Sequence, residues 1–152
     1  MPKQFWLETL ILLLLTLTLP AWSQPYTWQN FTCKKEITSL ETAAGYVWAT
    51  SNGGVVRVDL QTGSVRSYIN SDGLGSIATT FSAYAEPGQV YFGSSDGYLS
   101  VLDLATQSFS LNELTERDGQ ALKLAAADSS GGFLWIATDI GVVKFDRFRH
   151  GG

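Results

Sequence analysis

One phrase recurs in this chain at a fixed interval, and that recurrence limits the available folds more than any other feature. Residues 45–59 read GYVWATSNGGVVRVD, and residues 132–146 read GFLWIATDIGVVKFD. A weaker version lies between them at 90–103, VYFGSSDGYLSVLD. Repetition of this kind indicates an array of similar structural units that stack on one another.

The interval between the copies identifies the kind of unit. An aromatic residue, a glycine and an aspartate recur in the same order: Trp48, Gly54 and Asp59; Tyr91, Gly97 and Asp103; and Trp135, Gly141 and Asp146. The aromatic residues are 43 and 44 residues apart, which is the length of one four-stranded blade of a β-propeller. Helical repeats of similar length need long stretches with a period of 3.6 residues. The repeat therefore predicts propeller blades.

Each copy divides into short runs rich in β-branched and aromatic residues, and turn-forming residues separate these runs. The predicted strands are 37–42, 47–50, 55–59 and 64–69 in the first copy, 79–84, 89–93, 98–103 and 108–114 in the second, and 122–127, 133–138 and 142–146 in the third. The second copy has one extra residue before Asp103, for which we predict a β-bulge. We predict an all-β fold of four-stranded antiparallel blades at about 37–71, 77–114 and 121–148.

The N-terminus has the pattern of a secretory signal peptide. Lys3 precedes an apolar run at 10–19, and Pro20 and the small-residue pattern at 21–23 follow it. A membrane anchor is the alternative, but this run is shorter than the roughly 20 apolar residues that a bilayer core requires. We therefore expect a signal helix within residues 1–23, a mature chain of 24–152 that is not inserted in a membrane, and a periplasmic or extracellular location.

The three copies form an incomplete ring. A propeller needs roughly four or more blades, and the third copy lacks a fourth strand. Residues 26–31, YTWQNF, form a further strand candidate that could complete a blade built from the other end of a longer chain. We expect the chain to be the N-terminal portion of a longer protein whose remaining blades are its partners, with closure by oligomerisation as the alternative.

Charge and cysteine content exclude several classes of function. The chain has 10 basic and 14 acidic residues, a net charge of −4, and no long basic run, which argues against nucleic-acid binding. Cys33 is the only cysteine, so no internal disulfide can form, and we expect it to be half-buried on a strand. One cysteine and one histidine, His150, do not supply a metal site. We predict no metal and no cofactor.

Two short motifs match enzyme patterns by letter. GSSDG at 93–97 satisfies the G-x-S-x-G pattern around Ser95, but a nucleophile elbow joins a strand to a helix, and here a second strand is predicted to follow. GLGSIA at 73–78 fits a loose dinucleotide-binding pattern, whose glycines precede a helix N-terminus. No helix is predicted there either. We predict no catalytic residue.

The repeated aspartates and aromatic residues have structural explanations. Asp59, Asp103 and Asp146 end the same strand in three copies, where an aspartate can cap a turn through its own backbone. Asp72 and Asp118 precede glycines between the copies and are also expected to form turns. One aromatic residue per copy is what packing between blades produces, whereas a sugar-stacking platform is the alternative for Trp48, Tyr91 and Trp135.

The copies resemble the two-component regulator propeller repeat. DGLGS at 72–76, VYFGSSDGYLSVLD at 90–103 and DSSGGFLWIATDIGVVKFD at 128–146 are similar to the consensus of that family, and the resemblance covers about residues 26–148. The chain departs from the consensus at 118–120, which reads Asp-Gly-Gln instead of Asp-Gly-Leu, and at Ala49 and Ala137, which replace a glycine kept at Gly93. The resemblance implies a periplasmic propeller that precedes a membrane span and a histidine kinase and often responds to glycan fragments.

Two classes of function follow from these observations. The first is a non-catalytic extracytoplasmic sensory or recognition module at the N-terminus of a larger two-component sensor-type protein, with a glycan or protein ligand. The second is a secreted or cell-surface propeller that acts as a scaffold for protein–protein interaction. A propeller hydrolase is a distant third. Ligands of propellers usually bind loops at one end of the central channel, and the sequence identifies no individual ligand-binding residue.

Overall fold

The computed structural model of the chain describes residues 36–148. Within this range, all strands belong to three antiparallel sheets. The strands are β1 (Ile37–Ala43), β2 (Tyr46–Ser51), β3 (Gly54–Asp59), β4 (Val65–Tyr68), β5 (Thr79–Ala85), β6 (Gln89–Ser94), β7 (Tyr98–Asp103), β8 (Ser108–Glu113), β9 (Leu124–Ser130), β10 (Phe133–Thr138) and β11 (Gly141–Asp146). A single turn of 3-10 helix, Asn70–Asp72, follows β4. The all-β fold of antiparallel blades is confirmed.

The strands of each sheet are ordered as they are in the chain. Blade 1 comprises β1 to β4, blade 2 comprises β5 to β8, and blade 3 comprises β9 to β11. The first strands of successive blades, β1, β5 and β9, lie beside one another, so they form the inner layer of an arc. Each blade is a meander because tight turns can join only neighbouring antiparallel strands.

The flat faces of neighbouring blades stack on each other and form two apolar cores. The core between blades 1 and 2 contains Trp48, Val55, Tyr68, Leu74, Val90, Phe92 and Leu102. The core between blades 2 and 3 contains Phe81, Ala83, Ala85, Tyr91, Leu99, Val101, Leu122, Leu124, Leu134 and Ile136. Alternate residues of one strand contribute to different cores because side chains alternate between the two faces of a sheet. Blade 2 is therefore covered on both faces.

The bulge predicted before Asp103 is absent, and the prediction is wrong. Strands β6 and β7 pair without a register shift from Gln89 with Asp103 to Gly93 with Leu99. The extra residue lies in the turn instead. The β2–β3 turn is closed by the pair Ser51 and Gly54, whereas the β6–β7 turn contains the longer segment 95–97. A hairpin turn accepts one more residue without disturbing the ladder that follows.

Bulges occur instead at the start of every inner strand. The pairing of β1 with β2 skips one residue between Ile37 and Ser39, and the pairing of β5 with β6 skips one between Thr79 and Phe81. The pairing of β9 with β10 shifts at the same place, where the partner of Thr138 is Leu124. A bulge leaves one residue of the strand unpaired. The unpaired residues are Thr38, Thr80 and Ala125.

The strand registers correct one assignment within the repeat. Gly93 lies two residues after the aromatic position, and the residues at this place in the other blades are Thr50 and Ala137, not Ala49. The glycine of blade 2 has a steric cause. A Cβ atom on Gly93 would lie 2.1 Å from Cε1 of Phe81. The aromatic ring of the paired inner strand therefore occupies the space that a side chain would need.

Several sequence predictions fall outside the described residues. These are the signal peptide at 1–23 with its helix, the strand at 26–31, Cys33 and His150. The strands of the three sheets lie within the predicted blade ranges 37–71, 77–114 and 121–148. Within residues 36–148, no helix has the length and apolar character needed to span a lipid bilayer.

Candidate functional site: the polar rim

Ser95 lies in the turn between β6 and β7, and its surroundings do not match a nucleophile elbow. Strands precede and follow it. Its backbone N–H donates to the carbonyl of Ala78 at 3.1 Å, which connects the turn to the segment before β5. The chain has a single histidine, His150, and it lies outside the described residues. Nothing in residues 36–148 supplies a histidine base for Ser95.

The GLGSIA segment at 73–78 connects the 3-10 turn to β5, so a strand follows it. Gly73 has φ +106°, in the left-handed region that glycine tolerates. A Cβ atom on Gly75 would lie 3.0 Å from the Cβ atom of Tyr98. These glycines therefore allow a close-packed linker between blades, and no helix N-terminus is present for a pyrophosphate.

The repeated aspartates cap turns, as the sequence predicted. One carboxylate oxygen of Asp59 accepts the backbone N–H groups of Gln61 and Thr62 at 2.8 and 2.9 Å. Asp103 does the same with Ala105 and Thr106 at 2.8 and 2.9 Å. These hydrogen bonds hold the pKa of both carboxyls below the usual value. The bond from Thr62 has the largest effect on Asp59, and the bond from Thr106 has the largest effect on Asp103. Asp146 accepts the backbone N–H of Phe148 at 3.0 Å.

The linker aspartates also form turns. The Asp72 carboxylate accepts the backbone N–H of Ile69 at 2.9 Å, and the Asp118 carboxylate accepts that of Gln120 at 3.1 Å. Both side chains are therefore bonded to their own neighbouring backbone. Within residues 36–148, no group of three or more His, Cys, Asp or Glu side chains is arranged to hold a metal ion.

The repeated aromatic residues pack between blades wherever a following blade exists. Trp48 and Tyr91 are fully buried. The Trp48 ring lies 5.7 Å from that of Phe92 in blade 2, and the Tyr91 ring lies 6.4 Å from that of Phe145 in blade 3. Trp135 is 42% exposed. Trp48 and Tyr91 therefore pack between blades, as predicted, and Trp135 lies on a face of blade 3 that no described blade covers.

Within residues 36–148, the candidate binding site is an open cavity at the end of the molecule where the inner strands begin. It has a volume of about 620 Å³ and is lined by residues from all three blades. We use the name polar rim for its six polar residues that lie outside the β10 strand: Glu36, Thr38, Thr80, Ser95, Lys123 and Asp139. Glu36, Ser95, Lys123 and Asp139 are exposed, so their polar groups face solvent.

A repeated backbone bond holds the hairpins of the polar rim. In each blade, the residue after the second strand donates its N–H to the carbonyl of a residue just before the first strand. The bonds are Asn52 to Glu36 at 3.4 Å, Ser95 to Ala78 at 3.1 Å and Asp139 to Lys123 at 3.2 Å. In blade 3 the Asp139 carboxylate also accepts the Lys123 N–H at 3.0 Å. The rim is thus built on hydrogen-bonded turns.

Threonine hydroxyls join the blades beneath the polar rim. The Thr38 hydroxyl donates to the carbonyl of Thr79 at 2.8 Å, and the Thr80 hydroxyl donates to the carbonyl of Leu124 at 2.6 Å. Both threonines are the unpaired residues of their bulges, and both acceptors are the first residues of the next inner strand. Ala125 occupies the same position in blade 3 and has no hydroxyl. The bulge therefore aims a donor at the next blade.

Further hydroxyl contacts join blade 1 to blade 2. Thr79 accepts the backbone N–H of Ser51 at 3.0 Å and donates to the carbonyl of Ser51 at 2.7 Å. The Ser51, Ser94 and Thr138 hydroxyls donate within their own hairpins to the carbonyls of Gly54, Tyr98 and Gly141 at 2.9, 3.0 and 3.0 Å. These hydroxyls are engaged in structure. The side chains of the polar rim that a ligand could contact are therefore those of Glu36, Ser95, Lys123 and Asp139.

Of the polar rim residues, sequence reasoning considered only Ser95, as a catalytic candidate that it rejected. A signal was present for the threonines, because Thr38 and Thr80 both lie near the start of their inner strands. Lys123 and Asp139 carried no signal, since 16 positions separate them and a hairpin brings them together. The arrangement offers two carboxylates, one ammonium group and a hydroxyl to a polar ligand with both donors and acceptors.

Comparison with known proteins shows similarity at the level of the fold. No protein-family model matches the chain, and no curated protein matches it. A solved structure of the extracellular domain of the hybrid two-component system protein BT4673 from B. thetaiotaomicron is 17% identical and superposes with a TM-score of 0.69. The match covers 80% of this chain and 17% of that domain.

Two further structures extend this comparison. The extracellular domain of the hybrid two-component system protein BT3049 from B. thetaiotaomicron is 20% identical over 75% of this chain and 15% of that domain, with a TM-score of 0.59. The computationally designed protein Ika8 is 23% identical over 73% of this chain and 33% of its own, with a TM-score of 0.54. The chain spans less than a fifth of the extracellular domains. The likeness agrees with the fold expected of a two-component regulator propeller region.

Proposed function

We propose that this chain is a non-catalytic recognition module that acts outside the cytoplasm, as part of a longer sensor protein of the two-component type. The observation that carries the proposal is the polar rim, where the starts of inner strands and the β6–β7 and β10–β11 turns bring residues of three blades to one open cavity. The similar structures support it, because they are extracellular domains of hybrid two-component proteins. Rigid blades that hold exposed turns are a common basis for ligand binding.

The chemistry of the polar rim suggests a small polar ligand, such as a glycan fragment or a peptide segment. Glu36 and Asp139 can accept hydrogen bonds from hydroxyl or amino groups, and Lys123 can donate to oxygen atoms. All three side chains are exposed, so each contact with a ligand would contribute modestly in water. Affinity would then depend on several simultaneous contacts.

A thermal-shift assay with a ligand panel tests this proposal. The panel comprises neutral, acidic and amino oligosaccharides and short peptides, and we expect at least one class to raise the melting temperature. Lys123→Ala and Glu36→Gln should reduce that shift. Gln61→Ala, in the β3–β4 turn at the opposite end of blade 1, is the matched control and should leave it unchanged. Absence of a shift with every compound, or equal loss in the control, would argue against the polar rim.

An export assay tests the location. Alkaline phosphatase fused after residue 152 is active only outside the bacterial cytoplasm, so we expect activity from the fusion. A fusion that begins at residue 24 is the control and should be inactive. Activity from both fusions, or from neither, would contradict export through residues 1–23.

A scaffold that binds other proteins is the second candidate. The exposed apolar side chains of blade 3 favour it, since Val142 is 70% exposed and Phe148 is 73% exposed. The two candidates predict different sequences downstream of residue 152 in a full-length gene. An apolar span of about 20 residues followed by a histidine kinase would favour the sensor. Their absence would favour the scaffold.

A further inference from the structure

Two arginine side chains lie side by side on the surface of blade 1 that faces blade 2. Arg57 of β3 pairs directly with Arg66 of β4, and it also pairs with Trp48 of β2. Directly opposed residues share one face of a sheet, with Cβ atoms about 4.5 to 5.5 Å apart. We use the name arginine pair for Arg57 and Arg66. Arg57 is half-buried and Arg66 is exposed, so solvent reaches the pair.

Aromatic rings next to the arginine pair fix the positions of both guanidinium groups. The central carbon of the Arg57 guanidinium lies 4.5 Å from the centre of the Tyr46 ring and 5.8 Å from that of Trp48. The same carbon lies 5.9 Å from the centre of the Tyr68 ring, and the corresponding carbon of Arg66 lies 4.8 Å from it. Both cations therefore approach one tyrosine. A guanidinium that packs on a ring keeps the N–H groups at its edges for other acceptors.

The arginine pair has many hydrogen-bond donors and few acceptors. A guanidinium carries several N–H groups in one plane and accepts no hydrogen bond. Within residues 36–148, Arg57 Nη1 donates to the Gln107 side-chain oxygen at 3.3 Å, and the Arg66 side chain makes no hydrogen bond. No carboxylate in this range forms a salt bridge with either arginine. The part of the chain that the structure describes therefore leaves the two positive charges without a counterion.

The carboxylates in this part of the fold hold turns. Backbone hydrogen bonds, the largest from Thr62, lower the pKa of Asp59, and the charge of Arg57 is the smallest cause. The Asp72 carboxylate accepts the backbone N–H of Ile69 at 2.9 Å. Each of these carboxylates is therefore engaged mainly at its own turn.

The other blades show that the fold does not require two cations at this place. In blade 2, the residues at the positions of the arginine pair are Val101 and Ser110, which pair with each other. In blade 3, the ammonium group of Lys144 lies 3.7 Å from the centre of the Phe133 ring. One cation over an aromatic ring is a common packing contact, whereas two like charges directly opposite each other are destabilising. The second arginine of blade 1 is therefore not explained by packing alone.

Two buried polar groups beside the arginine pair also lack partners. Trp48 is fully buried and Tyr68 is 1% exposed. Within residues 36–148, neither the Trp48 Nε1–H nor the Tyr68 hydroxyl has a hydrogen-bond partner. Burial raises the pKa of Tyr68, and the charges of Arg57 and Arg66 partly offset this. Buried polar groups without a partner are uncommon in native proteins. The region is rich in donors, and what it lacks is an acceptor.

The geometry of two adjacent guanidinium groups selects the chemistry of that acceptor. The planar fork of one arginine already saturates a carboxylate through two parallel hydrogen bonds. A second fork beside it provides further donors and a second positive charge, which match a group with more oxygen atoms and a double negative charge. The arginine pair therefore suits a divalent tetrahedral oxyanion better than it suits a carboxylate.

We propose that the arginine pair binds a divalent tetrahedral oxyanion, either free sulfate or the phosphate of a phosphate monoester. Arg57 and Arg66 donate to its oxygen atoms, and the rings of Tyr46 and Tyr68 hold the guanidinium groups in place. The arginine pair lies on β3 and β4, and no residue of it lines the polar rim cavity. The proposal is therefore independent of what the polar rim binds.

An NMR titration of the chain at pH 7 tests this proposal. The probes are sodium sulfate and methyl phosphate, and sodium chloride keeps the ionic strength constant so that screening does not change. The readouts are the Nε and Cζ signals of Arg57 and Arg66 and the indole N–H signal of Trp48. We expect saturable shifts of these signals with at least one probe, and the probe that binds more tightly identifies the source of the oxyanion. Sodium acetate should give no saturable shift.

Substitution of the exposed arginine shows whether the shifts report this site. Arg66→Gln should weaken binding several-fold, and its exposed position makes loss of the fold unlikely to interfere. Arg117→Gln is the matched control, because it removes the same charge from an exposed arginine in the linker between β8 and β9 and should leave the affinity unchanged. Shifts that fail to saturate with both probes, equal binding of acetate, or equal weakening by Arg117→Gln would each overturn the proposal.

Discussion

Val55 in blade 1 and Val142 in blade 3 occupy the same position in their strands, but their environments differ. Each pairs with the residue two positions after the repeated tryptophan. Val55 is fully buried beneath blade 2, whereas Val142 is 70% exposed. Trp48 and Trp135 show the same contrast. Identical positions in a repeat therefore contribute differently to stability, depending on whether a neighbouring blade covers them.

Replacement of the two tryptophans should show this contrast most strongly. Trp48→Ala removes a fully buried ring from the core between blades 1 and 2, and we expect a loss of about 3 to 5 kcal/mol in the free energy of unfolding. Trp135→Ala removes a ring that is 42% exposed, on the face of blade 3 that points away from blade 2, and should cost about 1 to 2 kcal/mol. Urea denaturation measures both. Similar losses for the two variants would mean that Trp135 is covered in solution.

Overpacking of blade 2 should have the next largest effect. Gly93→Ala places a methyl group within 2.1 Å of the Phe81 ring, so we expect a loss of about 1 to 3 kcal/mol in the free energy of unfolding. Ala137→Ser, at the same position in blade 3, is the control, and we expect it to change stability by less than about 0.5 kcal/mol. If Gly93→Ala were neutral by urea denaturation, the Phe81 ring could not be fixed where the structure places it.

The bond between bulge and neighbouring blade should contribute a smaller amount. Thr80→Val keeps the shape of the side chain but removes the hydroxyl that donates to the Leu124 carbonyl, and we expect a loss of about 0.5 to 1.5 kcal/mol. Ala125→Thr introduces the hydroxyl in blade 3, where the described residues provide no following inner strand, and should be nearly neutral. Thermal unfolding of both variants measures the difference. If Ala125→Thr stabilised the protein, the hydroxyl could not act through a bond to the next inner strand.

The pH dependence at Glu41 should be the smallest effect. Burial beneath blade 2 raises the pKa of Glu41 above 4.5, the Tyr84 N–H partly offsets this, and the charge of Asp128 adds to it. Stability linked to the protonated form is therefore present below pH 4.5 and is lost as the pH rises through the folded-state pKa. Glu41→Gln should raise the urea midpoint at pH 7 and leave it nearly unchanged at pH 3.5.

Asp128→Asn tests the electrostatic part of that shift. The charge of Asp128 is the smallest of the three causes, so its removal should raise the urea midpoint at pH 7 less than Glu41→Gln does. A larger effect of Asp128→Asn would contradict burial as the main cause.

Local sequence patterns predicted the strands well and the contacts between blades poorly. The chain reverses at 44–45, 60–64 and 104–107, in the gaps that the predicted strands left for turns, because glycine and polar residues favour tight reversals wherever they occur. The error at Asp103 arose because counting residues cannot tell a bulge in a strand from a longer turn. The polar rim was missed since its residues come from different blades.

The sequence by itself determined the number, the order and the approximate limits of the blades within residues 36–148, because strand alternation and turn chemistry act over a few residues. Only the tertiary structure decided which residues meet across the blades. The Thr38 and Thr80 hydroxyls find acceptors 41 and 44 positions away, and a bulge of one residue sets their direction. A shift of one residue turns a side chain to the other face of a sheet, so three-dimensional register selects the contacts.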